Sequence, residues 1–181
     1  LNPAHLPVVI VLACGRGERF LASGGSTHKL RALLAGQPVL SHTLKAARAS
    51  GLPVHLVEGD SAGMGDSIAT GIRATADAAG WLVLPGDLPL VQAQTLLEVA
   101  HSLQAHPVVV PICQDQKGHP VGFSAACRDD LLQLSGDVGA AAVTKKYGAT
   151  LLEVDDVGCI LDVDTVYDLA RAEQLLLSSR R

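Results

Sequence analysis

Short aliphatic runs alternate with stretches of helical periodicity along this chain, and that alternation predicts an α/β domain. Val8 to Ala13 is apolar throughout, the pattern of a central parallel strand covered on both faces. A long loop is expected next, then a helix over Val39 to Ala49 closed by Gly51 and Pro53, and a short strand at Val54 to Val57. Helix Asp66 to Ala78, strand Trp81 to Pro85, helix Gln92 to Leu103 and strand Val108 to Ile112 continue the alternation. The later part is less regular. Lys117-Gly118-His119-Pro120 is turn chemistry, leading to strand Val121 to Phe123 and a helix from Ala125 to Leu134. Gly136 to Gly139 opens a further helix through Lys146, with Gly148 as its stop. Leu151 to Val154 and Cys159 to Leu161 are strand candidates, and Val166 to Leu177 is a final amphipathic helix. With no linker or repeat, residues 1–181 read as one domain.

Composition narrows the classes of function. The chain is 48% hydrophobic and 18% charged, which is globular rather than disordered. Aromatic residues make up only 3%, so the core is aliphatic and no array of rings is available for stacking single-stranded bases. A net charge of −4 gives no basic footprint, so no nucleic-acid partner is expected and an anionic ligand must be met by a few local cations. Cys14, Cys113, Cys127 and Cys159 form no C-x-x-C pair, which argues against zinc and disulfides and for a cytoplasmic protein. The first apolar run is too short to span a bilayer, so no membrane role is expected.

The candidate chemistry sits in the loops that follow the strands, which converge on one crevice in a parallel sheet. Gly15 and Gly17 let the backbone turn sharply after the first strand and approach a polyanion, while Arg16, Arg19 and Lys29 are cations suited to phosphate oxygens. A dinucleotide-binding turn would need glycine where Phe20 stands, and no Walker-type Gly-x4-Gly-Lys-Ser/Thr string occurs. The loop from Gly59 to Ser67 ends on a hydroxyl that either caps the next helix or meets a ligand. Asp87, between Pro85 and Pro89, is placed as a metal ligand or as a turn cap. In Leu161-Asp162-Val163-Asp164-Thr165, alternation along a strand sends both acids to one side, as metal ligands or as caps of the last helix.

The series LACGRGERF with Lys29, then GMGDSIATG, PGDLP, GHPVGF, SGDVGA and LDVDTVYDLA, resembles the MobA-like NTP transferases, most closely their molybdenum-cofactor cytidylyltransferase branch. The resemblance spans about Val8 to Ala170. It implies a doubly wound, mostly parallel sheet with helices on both faces, Rossmann-like and of the nucleotide-diphospho-sugar transferase type. It also implies CMP transfer from CTP, with Mg2+, to molybdopterin or the molybdenum cofactor, and release of pyrophosphate. By the same resemblance Gly15, Gly17, Arg19 and Lys29 hold the phosphates, with Arg19, Lys29 and Asp87 catalytic. Ala13, Cys14, Gly65 and Ser67 lie by the base, Asp87 and Asp164 bind the metal, and His119 and Asp137 face the acceptor. A molybdoenzyme or its maturation factor is the implied partner. The sequence departs from the family in two places: nine residues separate Arg19 from Lys29, a longer gap than usual, and Cys14 replaces a small Ala or Gly. A guanylyltransferase, a transferase acting on another phosphorylated acceptor, a non-catalytic accessory factor and an oxidoreductase remain as alternatives.

Overall fold

The computed structural model describes residues 6–59 and 63–178. β1 (Val8–Ala13) lies between β4 (Val54–Glu58) and β5 (Gly80–Pro85), parallel to both. β8 (Val121–Ser124) runs antiparallel between β5 and β6 (Val108–Cys113). On its other edge β6 carries β9 (Thr150–Glu153) in parallel, and its end turns back through β7 (Gln116–Lys117). The sheet is therefore mostly parallel, with one antiparallel strand placed inside it.

Side-chain alternation along these strands divides the core between the two faces. Val9, Val11, Leu82 and Leu84 pack with Ala47 of α2 (Val39–Ala49) and with Leu96 and Val99 of α4 (Ala93–Ser102). Ile10, Trp81 and Val83 point the other way, onto Ile68 and Ile72 of α3 (Met64–Ala74), Leu131 of α5 (Arg128–Leu132) and Val143 of α6 (Ala141–Tyr147). Helices thus cover both faces, the doubly wound, Rossmann-like arrangement. Among the described residues no helix is long and apolar enough to cross a membrane.

A third cluster lies beyond the sheet and departs from expectation. The segment expected as one long loop holds α1 (Glu18–Ala22), a 3-10 turn at Lys29–Arg31 and a hairpin of β2 (Leu33–Leu34) with β3 (Gln37–Pro38). Phe20, Leu30 and Leu34 from this segment are buried with Val163 and with Ala172 of α7 (Val166–Ser178). Elements of two to five residues have too little periodicity to read from sequence.

Other boundaries moved for local reasons. α3 begins at Met64 rather than Asp66 and ends at Ala74. The helix expected from Ala125 starts as a 3-10 turn, and the one expected from Gly136 starts at Ala141. Cys159 to Leu161, expected as a strand, is part of a 3-10 turn at Val157–Ile160. Asp156 imposes that turn: its buried carboxylate accepts hydrogen bonds from Gly158 N at 2.9 Å, Gln92 N at 2.9 Å and Thr95 Oγ1 at 2.6 Å. The turn is thereby locked to the start of α4. Asp156→Ala leaves these donors unpaired and should lower stability by about 3 kcal/mol, with Asp156→Asn milder. Urea unfolding of the two variants beside the wild type checks both the loss and its order.

Candidate active site

Asp87 is set by the turn that ends β5. Gly86 N donates to Leu12 O at 2.8 Å, Thr43 Oγ1 donates to Gly86 O at 2.9 Å, and Val163 N donates to Asp87 O at 2.9 Å. The last bond draws the 161–165 segment against β5, and burial of Val163 in the third cluster turns its neighbours outward. Asp87, Asp162 and Asp164 each bring a carboxylate oxygen within 4.8 Å of one another. The two acids of the last segment share a side as expected, but the segment is not a strand; the buried valine between them sets their direction.

Neither acid is the cap of α7. Thr165 and Asp168 form that cap reciprocally: Asp168 Oδ2 accepts from Thr165 N at 2.8 Å, and Thr165 Oγ1 accepts from Asp168 N at 3.2 Å. Asp164 is left to meet cations. Lys29 Nζ donates to Asp87 Oδ2 and to Asp164 Oδ1, both at 2.6 Å, and Arg19 Nη1 donates to Asp164 Oδ2 at 2.8 Å. The long gap between Arg19 and Lys29 is therefore no obstacle, because α1 and the Lys29–Arg31 turn fold it back onto the acids.

Charge follows this geometry. Burial works against the Lys29 ammonium, but Asp87 and Asp164 outweigh it and hold its pKa above the ordinary value. The hydrogen bond from Lys29 is the largest influence on Asp164 and keeps its carboxyl below the usual range. Asp162 moves the opposite way, pushed up by burial and then by the charge of Asp87. Asp87 Oδ1 is buried and has no hydrogen-bond partner among the described residues, so an acceptor-only oxygen beside two further carboxylates is available to a hard cation.

A crevice of about 490 Å³ opens over Asp87 and Asp164. Cys14, Gly15, Gly17, Arg19, Lys29, Ser67, Asp87, Asp137 and Asp164 all line it, as do Arg16 and Met64. A side chain at Gly15 would meet nothing within 4 Å, whereas Gly17 has φ of 67°, a conformation that favours glycine. The Cys14 thiol donates to Val57 O at 3.2 Å. Ser67 is not the cap of α3, whose N-cap is Gly63; its hydroxyl donates to Gly63 O at 3.1 Å from within the helix. Residues 60–62 of the loop before it lie outside the described residues.

Three expected residues do not line the crevice. Ala13 packs against the third cluster. Gly65 N donates to Gly136 O at 2.8 Å, and a Cβ there would stand 2.6 Å from Val138 O, so it seats α3 on the turn before α6. His119 has a buried Nδ1 with no hydrogen-bond partner among the described residues; burial lowers its pKa against the opposing pull of Asp87. His28, absent from the expected set, caps the Lys29–Arg31 turn through its ring. A polar residue ahead of the lysine was the only signal for it.

A glycine turn, two cations and three clustered acids thus meet beside the carboxyl ends of β1 and β5. The chain belongs to the MobA-like NTP transferase domain family, whose family model matches residues 46–151, well over half of it. The matched stretch includes Asp87 but not the glycine turn, Lys29 or Asp164. The bifunctional protein GlmU of Stenotrophomonas maltophilia strain R551-3 is 30% identical over 176 residues, covering 84% of this chain and 36% of the relative. The chain spans about a third of the length of the curated relatives it matches. Rv0371c from Mycobacterium tuberculosis H37Rv superposes with a TM-score of 0.78 at 26% identity, over 94% of this chain and 98% of that one. Molybdopterin-guanine dinucleotide biosynthesis protein A from Archaeoglobus fulgidus gives 0.69 at 16% identity, over 94% and 99%.

The charge cluster gives a pH signature. Asp164 is depressed, so its pairing stabilises the fold above its unfolded value and is lost as pH falls through the folded one. Lys29 is raised, so its part is present at neutral pH and lost as pH rises through its folded value. The stability advantage of the wild type over Lys29→Met should therefore be present at neutral pH and shrink towards both extremes. Urea midpoints across a pH series measure it; an advantage that grows in acid would contradict the pairing.

Proposed function

We propose that this chain is a nucleotidyltransferase that moves CMP from CTP to the phosphate of molybdopterin or the molybdenum cofactor. The observation that carries transfer is the meeting of Lys29, Arg19 and three carboxylates under the glycine turn. The choice of CTP and of the acceptor is supported by the resemblance of the motif series to the cytidylyltransferase branch. The four cysteines, all unpaired, support a reducing, cytoplasmic setting in which a molybdoenzyme or its maturation factor receives the product.

An oxygen of the acceptor phosphate attacks the α-phosphorus of CTP in line with the bridge to the β-phosphate, that bond breaks, and pyrophosphate leaves. Gly15 and Gly17 admit the triphosphate close to the backbone. Lys29 and Arg19 offset the negative charge gathering on the phosphate oxygens. Asp87 and Asp164, with Asp162 beside them, would hold Mg2+, which when bound supplies further electrostatic stabilisation of the phosphates. Cys14 and Ser67 stand on the base side, while Asp137 faces the acceptor.

The test is pyrophosphate release by purified protein given each of the four NTPs in turn, with Mg2+ and molybdopterin. CTP is expected to give the fastest release. A preference for GTP would replace this reading with guanylyl transfer, and no release with any NTP would defeat it. In the same assay Asp87→Asn and Asp164→Asn should each remove most turnover. The double variant should lose little more than the worse single one, since the two acids act as a unit, and Asp162→Asn should be milder.

A further inference from the structure

The segment between Arg19 and Lys29 ends on a histidine whose two ring nitrogens are both engaged. Leu30 N donates to His28 Nδ1 at 3.3 Å, so Nδ1 carries no proton. The proton is then on Nε2, which stands 2.6 Å from Gly15 O and donates to it. One bond caps the short turn that presents Lys29; the other reaches back across the fold to the glycine loop. The ring also lies against Gly17, where an added Cβ would stand 3.1 Å from the imidazole.

We propose that His28 is a positioning residue for nucleotide binding, clamping the Gly15–Gly17 turn in the orientation that receives phosphate. The inference rests on the nucleotidyltransfer reading above. Its physical basis is the planarity of the peptide that joins Gly15 to Arg16. With the Gly15 carbonyl held by the imidazole, the trans peptide puts the Arg16 N–H on the opposite side. Gly15 and Arg16 line the crevice and His28 does not. Without the clamp this peptide is free to rotate, and a carbonyl oxygen turned towards the triphosphate would repel it. Glycine on both sides of the arginine makes that rotation easy, so the loop needs an external anchor. His28 provides it from the same short turn that delivers Lys29, coupling the backbone and the side-chain halves of the phosphate site.

Two substitutions separate the two bonds. His28→Asn keeps an acceptor near the position of Nδ1 for Leu30 N but cannot reach Gly15 O. His28→Gln extends a donor towards Gly15 O. Hydrogen–deuterium exchange of the peptide covering residues 14–20 in ligand-free protein reads the clamp directly, and steady-state kinetics with CTP reads its effect. His28→Ala and His28→Asn should exchange faster there and raise the KM for CTP roughly tenfold, with kcat less changed, while His28→Gln should stay close to wild type. Unchanged exchange in His28→Ala would overturn the clamp. Faster exchange with unchanged KM, in a wild type that uses CTP, would overturn its role in binding. A wild type that binds no NTP defeats the transfer reading, and the positioning role with it, even where exchange shows the clamp.

Discussion

Three carboxylates within 4.8 Å of one another repel unless positive charge is set among them. Lys29 supplies that charge from a side chain only 14% exposed, touching Asp87 and Asp164 at the same distance. A buried lysine is unfavourable without acids and clustered acids are unfavourable without a cation, so each half makes the other tolerable. The arrangement depends on three distant parts of the chain arriving together. The hydrophobic clusters bring them there. Phe20 and Leu30 sink into the third cluster and carry Lys29 with them, while Val163 sinks into it from the other side and leaves its two acidic neighbours facing Asp87. The polar site is thus the outer surface of a small apolar one.

The sheet sets where this happens. β1 and β5 are adjacent and parallel, so the glycine turn after one and Asp87 after the other emerge side by side. The bond from Gly86 N to Leu12 O joins the two strand ends directly. α3, on the opposite face to α2, closes the crevice with its first turn, seated on the 135–138 turn through Gly65 and through Asp66, whose carboxylate accepts from Gly136 N at 2.8 Å.

The elements that could be read from sequence were those whose pattern is long enough to declare itself. Val8–Ala13 and Val39–Ala49 lie where their apolar runs put them, because an uninterrupted aliphatic stretch and an 11-residue amphipathic one have few other solutions. The short pieces between Glu18 and Pro38 had no such pattern; they owe their shape to burial against α7, more than a hundred residues away. Cys159 looked like strand because it is apolar and flanked by Ile160, and nothing local announced that Asp156 would turn the backbone there. The acids and cations of the crevice were legible as residue types after strands. Their alliance was not, since a lysine ten residues from its arginine shows its reach only once the chain is folded. His28 escaped notice because a lone histidine in a polar stretch has no pattern, and its meaning lies in the carbonyl 13 residues earlier.

The bond between Lys29 and Asp164 spans 135 positions of the chain, whereas Lys29 and Asp87 are separated by 58. A ribosome delivers these groups in order, so during synthesis the lysine and the first acid coexist long before the second acid leaves the exit tunnel. The residues of β1, β4 and β5 have also been made by then, as have Phe20, Leu30 and Leu34 of the third cluster. A nascent chain at that stage carries both cations but only one of the three acids. Arrival of the 161–165 segment brings Val163 to the third cluster and its two acidic neighbours to Asp87 together, before α7 adds Ala172 to the same cluster.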